Sequence, residues 1–151
     1  MIGQPTGYKS KALATWIALV GGALGLHRFY LHGPRDLWGW LYPLPALIGL
    51  YGVQRARQLG QDDHLAWFLI PLLGLVLAAA MLSAIVYALM PDEKWNARYN
   101  PSGRVSRSGW ATVIGAALAL LIGAGVLMAT IAFSGQRFFE YQAEQAPGAG
   151  H

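Results

Sequence analysis

The chain has 151 residues, 55% hydrophobic and only 12% charged, with a mean hydropathy of +0.38. Soluble domains approach ~25% charged residues, so this composition excludes an ordinary soluble fold and points to one membrane domain. The absence of cysteine excludes disulfides, thiolate metal sites and cysteine nucleophiles; the net charge of +4 is scattered between apolar runs, which suits anionic lipid headgroups and not nucleic acid.

Residues 1–11 form a polar N-terminal tail, in which Gly3, Pro5 and Gly7 discourage regular structure and Lys9-Ser10-Lys11 ends the segment with basic charge. Residues 12–26 are uncharged. At ~1.5 Å per residue this run reaches only about 22 Å, short of a ~30 Å hydrocarbon core. The expected first helix must then extend toward Leu31 with Arg28 snorkelling, or thin the bilayer. Its basic flank and Ala23-Leu24-Gly25 also fit a secretory signal peptide, but three further apolar runs favour a membrane anchor.

Residues 37–53 are again uncharged and contain Pro43 and Pro45. A proline costs ~3 kcal/mol in a helix interior, so this second helix is expected to kink or to begin afresh near Pro45. Residues 54–64, with Arg55, Arg57, Asp62 and Asp63, read as a polar loop. Residues 65–90 are a long uncharged run that opens on Trp67-Phe68 and closes with Tyr87, placing aromatic side chains at both interfaces. Pro71 falls in its first turns, where a missing amide is least harmful.

Residues 91–109 are the longest polar segment and are expected to lie along the headgroups. Asn100-Pro101-Ser102 is disqualified as a glycosylation acceptor by its central proline. The last uncharged run, residues 110–133, repeats Gly115, Ala119 and Gly123 every four positions, a smooth face for close helix approach. Gly21 and Gly25 are taken as packing positions on the first helix. Residues 134–151 begin with interfacial Arg137-Phe138-Phe139 and read as a flexible tail.

The expected architecture is an all-α integral membrane protein with four transmembrane helices in two helical hairpins, residues 12–53 and 65–133, and both termini on one side. Lys9, Lys11, Arg55, Arg57 and Arg137 would share that side against Arg28, Arg35, Lys94, Arg98, Arg104 and Arg107, too even a division to set orientation.

One stretch is chemically distinctive. Gly25-Leu26-His27-Arg28-Phe29-Tyr30-Leu31, preceded by Lys9-Ser10-Lys11 and Gly21-Gly22 and followed by Gly33 and a second apolar helix, resembles the TM-two domain family over residues 8–53. Members have two membrane helices joined by a short loop with an aspartate- or histidine-arginine-phenylalanine motif. The resemblance implies an integral membrane location and no reaction. His32-Gly33-Pro34-Arg35 departs from the glycine and basic residue common after the tyrosine-leucine pair, and Tyr51-Gly52-Val53-Gln54 replaces a polar or acidic helix end. The two prolines imply a shorter or bent second helix. Residues 65–151 carry no such resemblance.

Two readings compete at His27-Arg28-Phe29-Tyr30. In one, Arg28 pairs with lipid phosphate and His27 changes charge near neutral pH. In the other, the stretch is an interfacial turn: Arg28 and Tyr30 anchor at the headgroups, Phe29 and Leu31 fill the gap between helices, and Asp36 pairs with Arg28 or Arg35. The second accounts for all the residue types. His27, His32 and Asp36 match no metal-ligand spacing, and no metal or cofactor is expected. With Ser83, Thr112 and Thr130 the polar residues inside the long spans, an ion-coupled carrier or membrane hydrolase lacks its ionisable group or its base.

The expected protein is a non-enzymatic scaffold or accessory subunit of the bacterial cytoplasmic (inner) membrane, acting through helix packing. Its partners are the lipid bilayer with anionic headgroups, and a second copy or another membrane subunit. The alternative is a small oligomeric transporter or channel with a path near Pro43, Pro45 and the smooth face of the last helix. A headgroup-directed enzyme using His27, Arg28 and Asp36 stands third.

Overall fold

The computed structural model describes residues 7–101, 103–146 and 148, so residues 1–6 of the N-terminal tail, Ser102 and most of the last five positions lie outside the described part. The only regular structure among the described residues is helical, with no strand: α1 Lys11–Gly21, α2 Leu26–His32, α3 Leu37–Leu41, α4 Pro43–Leu59, α5 His64–Leu89, α6 Asp92–Tyr99 and α7 Trp110–Gln145.

Ser10 caps α1, accepting a hydrogen bond from the Leu13 amide, the role a serine just outside a helix commonly plays. The helix runs into a single 3-10 turn, Gly22–Leu24, and the chain reverses at Gly25. The backbone there is left-handed (φ +74°) and packs on the Gly39 carbonyl, where a Cβ would sit 2.5 Å from the oxygen, so the reversal requires glycine.

α2 then returns to the end from which α1 started. Leu31 joins Ala14 and Trp95 in one buried cluster, the Tyr30 hydroxyl accepts from the Ser10 amide at 2.9 Å, and His32 meets the Tyr99 ring edge-on at 6.3 Å. The turn lies deeper: a Cβ on Gly22 would come within 2.6 Å of the Ala80 Cβ. At ~1.5 Å per residue Ala80 is about 15 Å along α5 from Met90. The first apolar run therefore does not traverse the molecule. It enters part-way and comes back, which resolves its shortfall in length without extension or thinning. The expected first crossing, and the expected turn at His27–Tyr30, are both replaced by this helical hairpin.

Traversal begins with α3 and α4. Pro43 opens α4, where its missing amide is harmless, so the break falls at Tyr42 rather than near Pro45. Gly49 and Gly52 press against Leu73 and Leu69, making α4 antiparallel to α5. Its last turns include Arg55 and Arg57, so the polar loop expected over residues 54–64 shrinks to residues 60–63. α5 climbs back to α6, and α7 descends the whole length. Trp16 Nε1 donates to the Ala111 carbonyl at 3.0 Å near its start, and Glu144 reaches His64 at 3.4 Å near its end.

α7 continues to Gln145, so residues 134–145, expected as a flexible tail, are helical. Lys9–Lys11 and Gln145 consequently lie at opposite ends, whereas the expected architecture put residues 9–11 and the segment after residue 133 on one side. α5 and α7 are long and apolar enough to cross a membrane, whereas the apolar stretch Lys11–Leu24 is shorter. Their outer faces expose Phe68, Leu82, Leu121 and Met128, the surface a helix presents to lipid rather than to water. The core is built of small residues, Ala18, Ala80, Ala84 and Ala119 around Met81, which let helices approach closely enough for dispersion to hold them.

Candidate functional site at the capped end

The distinctive motif sits on α2, and its polar groups are committed within the chain. Arg28 Nε donates to Asp36 Oδ2 at 2.7 Å. Burial pushes the Asp36 carboxyl up, but the Arg28 hydrogen bond and charge outweigh it and hold the group below its ordinary range. Phe29 covers Gly39, whose Cβ would fall 2.7 Å from the ring, and meets Trp40 edge-on at 5.3 Å. His27 is 1% exposed, wedged between Tyr42 at 5.2 Å and Tyr87 at 5.8 Å, and its Nδ1 has no hydrogen-bond partner. It is a packed ring in a seam, closed to a substrate.

A second cluster at the same end was not anticipated. Lys11 is 2% exposed, and its ammonium donates to the Met90 carbonyl, to Asp92 Oδ1 at 3.0 Å and to Ser108 Oγ at 2.6 Å. Three acceptors match the three donors of an ammonium. Asp92 accepts in addition from the Ser108 amide at 3.0 Å and hydroxyl at 2.6 Å. Those two bonds, with the Lys11 charge behind them, hold its carboxyl down at about 2.

Alongside, Asn100 brackets the Lys9 backbone, accepting from its amide at 2.7 Å and donating to its carbonyl at 2.9 Å. Asn96 does the same for Ser106, at 2.7 Å and 2.8 Å. Trp95, fully buried, donates from Nε1 to the Lys9 carbonyl at 3.0 Å. Residues 9–11 are thus stitched to α6 and to the irregular segment before α7. The signal for this was a lysine next to a serine cap and an Asp-Glu pair after Pro91. It stayed hidden because a fourth crossing would put residues 9–11 and 91–109 on opposite sides.

The packing residues are placed as follows. A Cβ on Gly21 would meet Leu26, and one on Gly115 would fall 2.9 Å from the Thr15 methyl. Ala119 is buried with Ala18 and Ala80, and a Cβ on Gly123 would be 2.8 Å from the Met81 Cβ. The smooth face of α7 is therefore occupied by α1 and α5 of the same chain, and is not free to line a path between copies.

The opposite end is simpler. Arg55 grips Asp63 with two hydrogen bonds, at 2.8 and 3.0 Å, which lower the Asp63 carboxyl. Arg137 lies 5.2 Å from both the Trp67 and Phe133 rings beside a cavity of about 500 Å³ walled by Phe68, Pro71, Phe138 and Tyr141. Among the described residues no three histidine or carboxylate side chains come together as a metal-binding group. Compared with known protein families, with characterised proteins and with solved structures, the chain matches none.

Proposed function

We propose that this chain is an integral protein of the bacterial cytoplasmic membrane that serves as a non-enzymatic scaffold or accessory subunit, with its TM-two-like segment forming a re-entrant hairpin. In this reading α3 with α4, α5 and α7 are the three crossings, and α6 lies at the headgroups of one leaflet. The apolar lengths of α5 and α7 support embedding. The observation that carries the structural role is the mutual commitment of the motif: Arg28 to Asp36, Tyr30 to the Ser10 amide, and His27 to an aromatic seam. A headgroup or substrate would have to displace a charge-assisted bond worth about 1.5–3 kcal/mol to engage Arg28.

The test is the stability of the full chain in detergent and its amount in membranes. Arg28→Ala and Asp36→Ala should each lower both, the double variant should be little worse than either single one, and exchanging the two residues should restore part of the loss. Variants that insert normally and melt like the parent would overturn the structural role and return Arg28 to the ligand-binding reading.

A further inference from the structure

We propose that the molecule is a wedge that prefers curved bilayer, with its α6 end in the expanded leaflet. The proposal rests on the membrane-embedded reading above and adds a partner surface to it: the shape of the bilayer itself.

The cross-section is uneven along the bundle. Near α6, the helices α1, α2, α3, α5 and α7 lie together, whereas beyond the turn at Gly22–Leu24 α4, α5 and α7 continue alone. A helix of ~10 Å diameter occupies about 80 Å², so two additional helices widen one half by about 160 Å². α6 lies over that same half, with Trp95 sealed beneath it, and broadens it further at headgroup level.

Burial along α7 follows the same division. The buried residues of α7 are Thr112, Gly115 and Ala119, all in the portion beside α1, and none of its described residues from Leu120 onward is buried. On α5, Ala80, Met81, Ala84 and Ala88 are buried toward α6 and Ala66 and Trp67 at the far end, while residues 68–79 between them contain no buried position. The half-depth hairpin supplies the core beside α7 at one end; at the other, α4 packs on α5 through Gly49 and Gly52, while α7 from Leu120 onward keeps no buried position among its described residues. In a flat bilayer, lipid chains of one leaflet must fill the notch beneath the hairpin tip while those of the other are pushed aside. Bending that expands the α6-side leaflet relieves both demands, by the same logic that makes amphipathic helices sensitive to curvature.

The absence of cysteine makes orientation readable. Gly103→Cys lies in open space at the α6 end, and Ala143→Cys lies on an exposed turn at the other end. Each full-length variant is reconstituted in giant phosphatidylcholine vesicles and marked from outside with an impermeant fluorescent maleimide, so that one orientation alone is seen. Narrow tubes are then drawn from the vesicles, their outer leaflet being the expanded one. Molecules marked at Gly103→Cys should be enriched in the tube by roughly two-fold or more, and those marked at Ala143→Cys depleted by a similar factor. Equal densities for both, including the case in which a second copy or lipid fills the notch, would overturn the wedge. Washing with alkaline carbonate separates the two readings: protein that leaves the bilayer removes the embedded reading, whereas retained protein with equal densities removes the wedge alone.

Discussion

The two ends of this bundle solve the same problem, ending apolar helices at a polar boundary, by different means. At the α6 end, Lys11, Asp92, Ser108, Asn96 and Asn100 form a connected hydrogen-bonded layer over buried Trp95 and Leu31. At the other end, the short link over residues 60–63 is held by the Arg55–Asp63 pair, and the last turns of α7 lie beside the start of α5 with Phe138 and Phe139 exposed. Buried networks rigidify because each unmet group is expensive where water is absent, whereas the half-buried Arg55–Asp63 pair stands alone and ties only two residues together. Stability is thus expected to be concentrated at the end that holds the motif.

The sharpest way to break that contrast is Trp95→Ala. The side chain is fully buried and its indole holds the Lys9 carbonyl, so the variant should lose about 3–5 kcal/mol, measured as the shift of the unfolding midpoint in detergent. A loss below about 1 kcal/mol would mean that α6 is a loosely attached surface element.

Lys11→Met comes next. It removes three hydrogen bonds and leaves Asp92 without its cation, but the Asp92 side chain is 36% exposed and water can reach it. The expected cost is about 2–3 kcal/mol, below that of an uncompensated buried charge. Restoring charge without reach, as Lys11→Arg, should recover little, because a planar fork does not fit three acceptors arranged for an ammonium. Recovery to the parent midpoint would reduce the cluster to simple charge pairing.

Between the ends, Gly49→Leu probes the α4–α5 contact. A Cβ there would lie 2.6 Å from the Leu73 amide nitrogen, and backbone cannot rotate away as a side chain can. Overpacking of this kind costs about 1–3 kcal/mol. A variant of parental stability would show that α4 can slide along α5 and that the half beneath the hairpin is already loose.

The limits of reading the sequence lie in the same contrast. The helical class, the long apolar runs that became α5 and α7, the pairing of Arg28 with Asp36 and the placement of Gly115, Ala119 and Gly123 against neighbouring helices are local or periodic features, visible residue by residue. The hairpin was not read, although its cause was in view: residues 12–26 are too short to cross, and Gly21, Gly22 and Gly25 permit a reversal. Hydropathy counts an apolar run as a span whether it crosses or returns, because burial against alanines of α5 and α7 and burial in lipid demand the same composition. That one choice moved residues 9–11 across the bilayer from Asp92 and hid the Lys11 cluster. The helical tail to Gln145 was missed for another reason. Its polar residues signalled an end to the membrane segment, and polarity does not end a helix when Gln136, Arg137 and Glu140 can pair at helical spacing.

The smallest expected effect, and the one that separates the ends most cleanly, is acid titration. The Asp92 carboxyl, ordinarily near 3.8, is held at about 2 by Ser108 and Lys11. A depressed carboxyl contributes stability that is fully present above its unfolded value and is lost as pH falls through its folded value, so the midpoint of unfolding should drop between about pH 4 and pH 2. Much of the side chain meets solvent, which screens the interaction and keeps the effect small. Asp92→Asn should flatten most of that limb, while Arg55→Gln should remove a smaller part of it, since the Arg55 hydrogen bonds also lower the Asp63 carboxyl but no wider network depends on that pair. The reverse pattern, a limb removed by Arg55→Gln and retained in Asp92→Asn, would place the acid-sensitive lock at the end without a network and make that end, not the stitched one, the more firmly held.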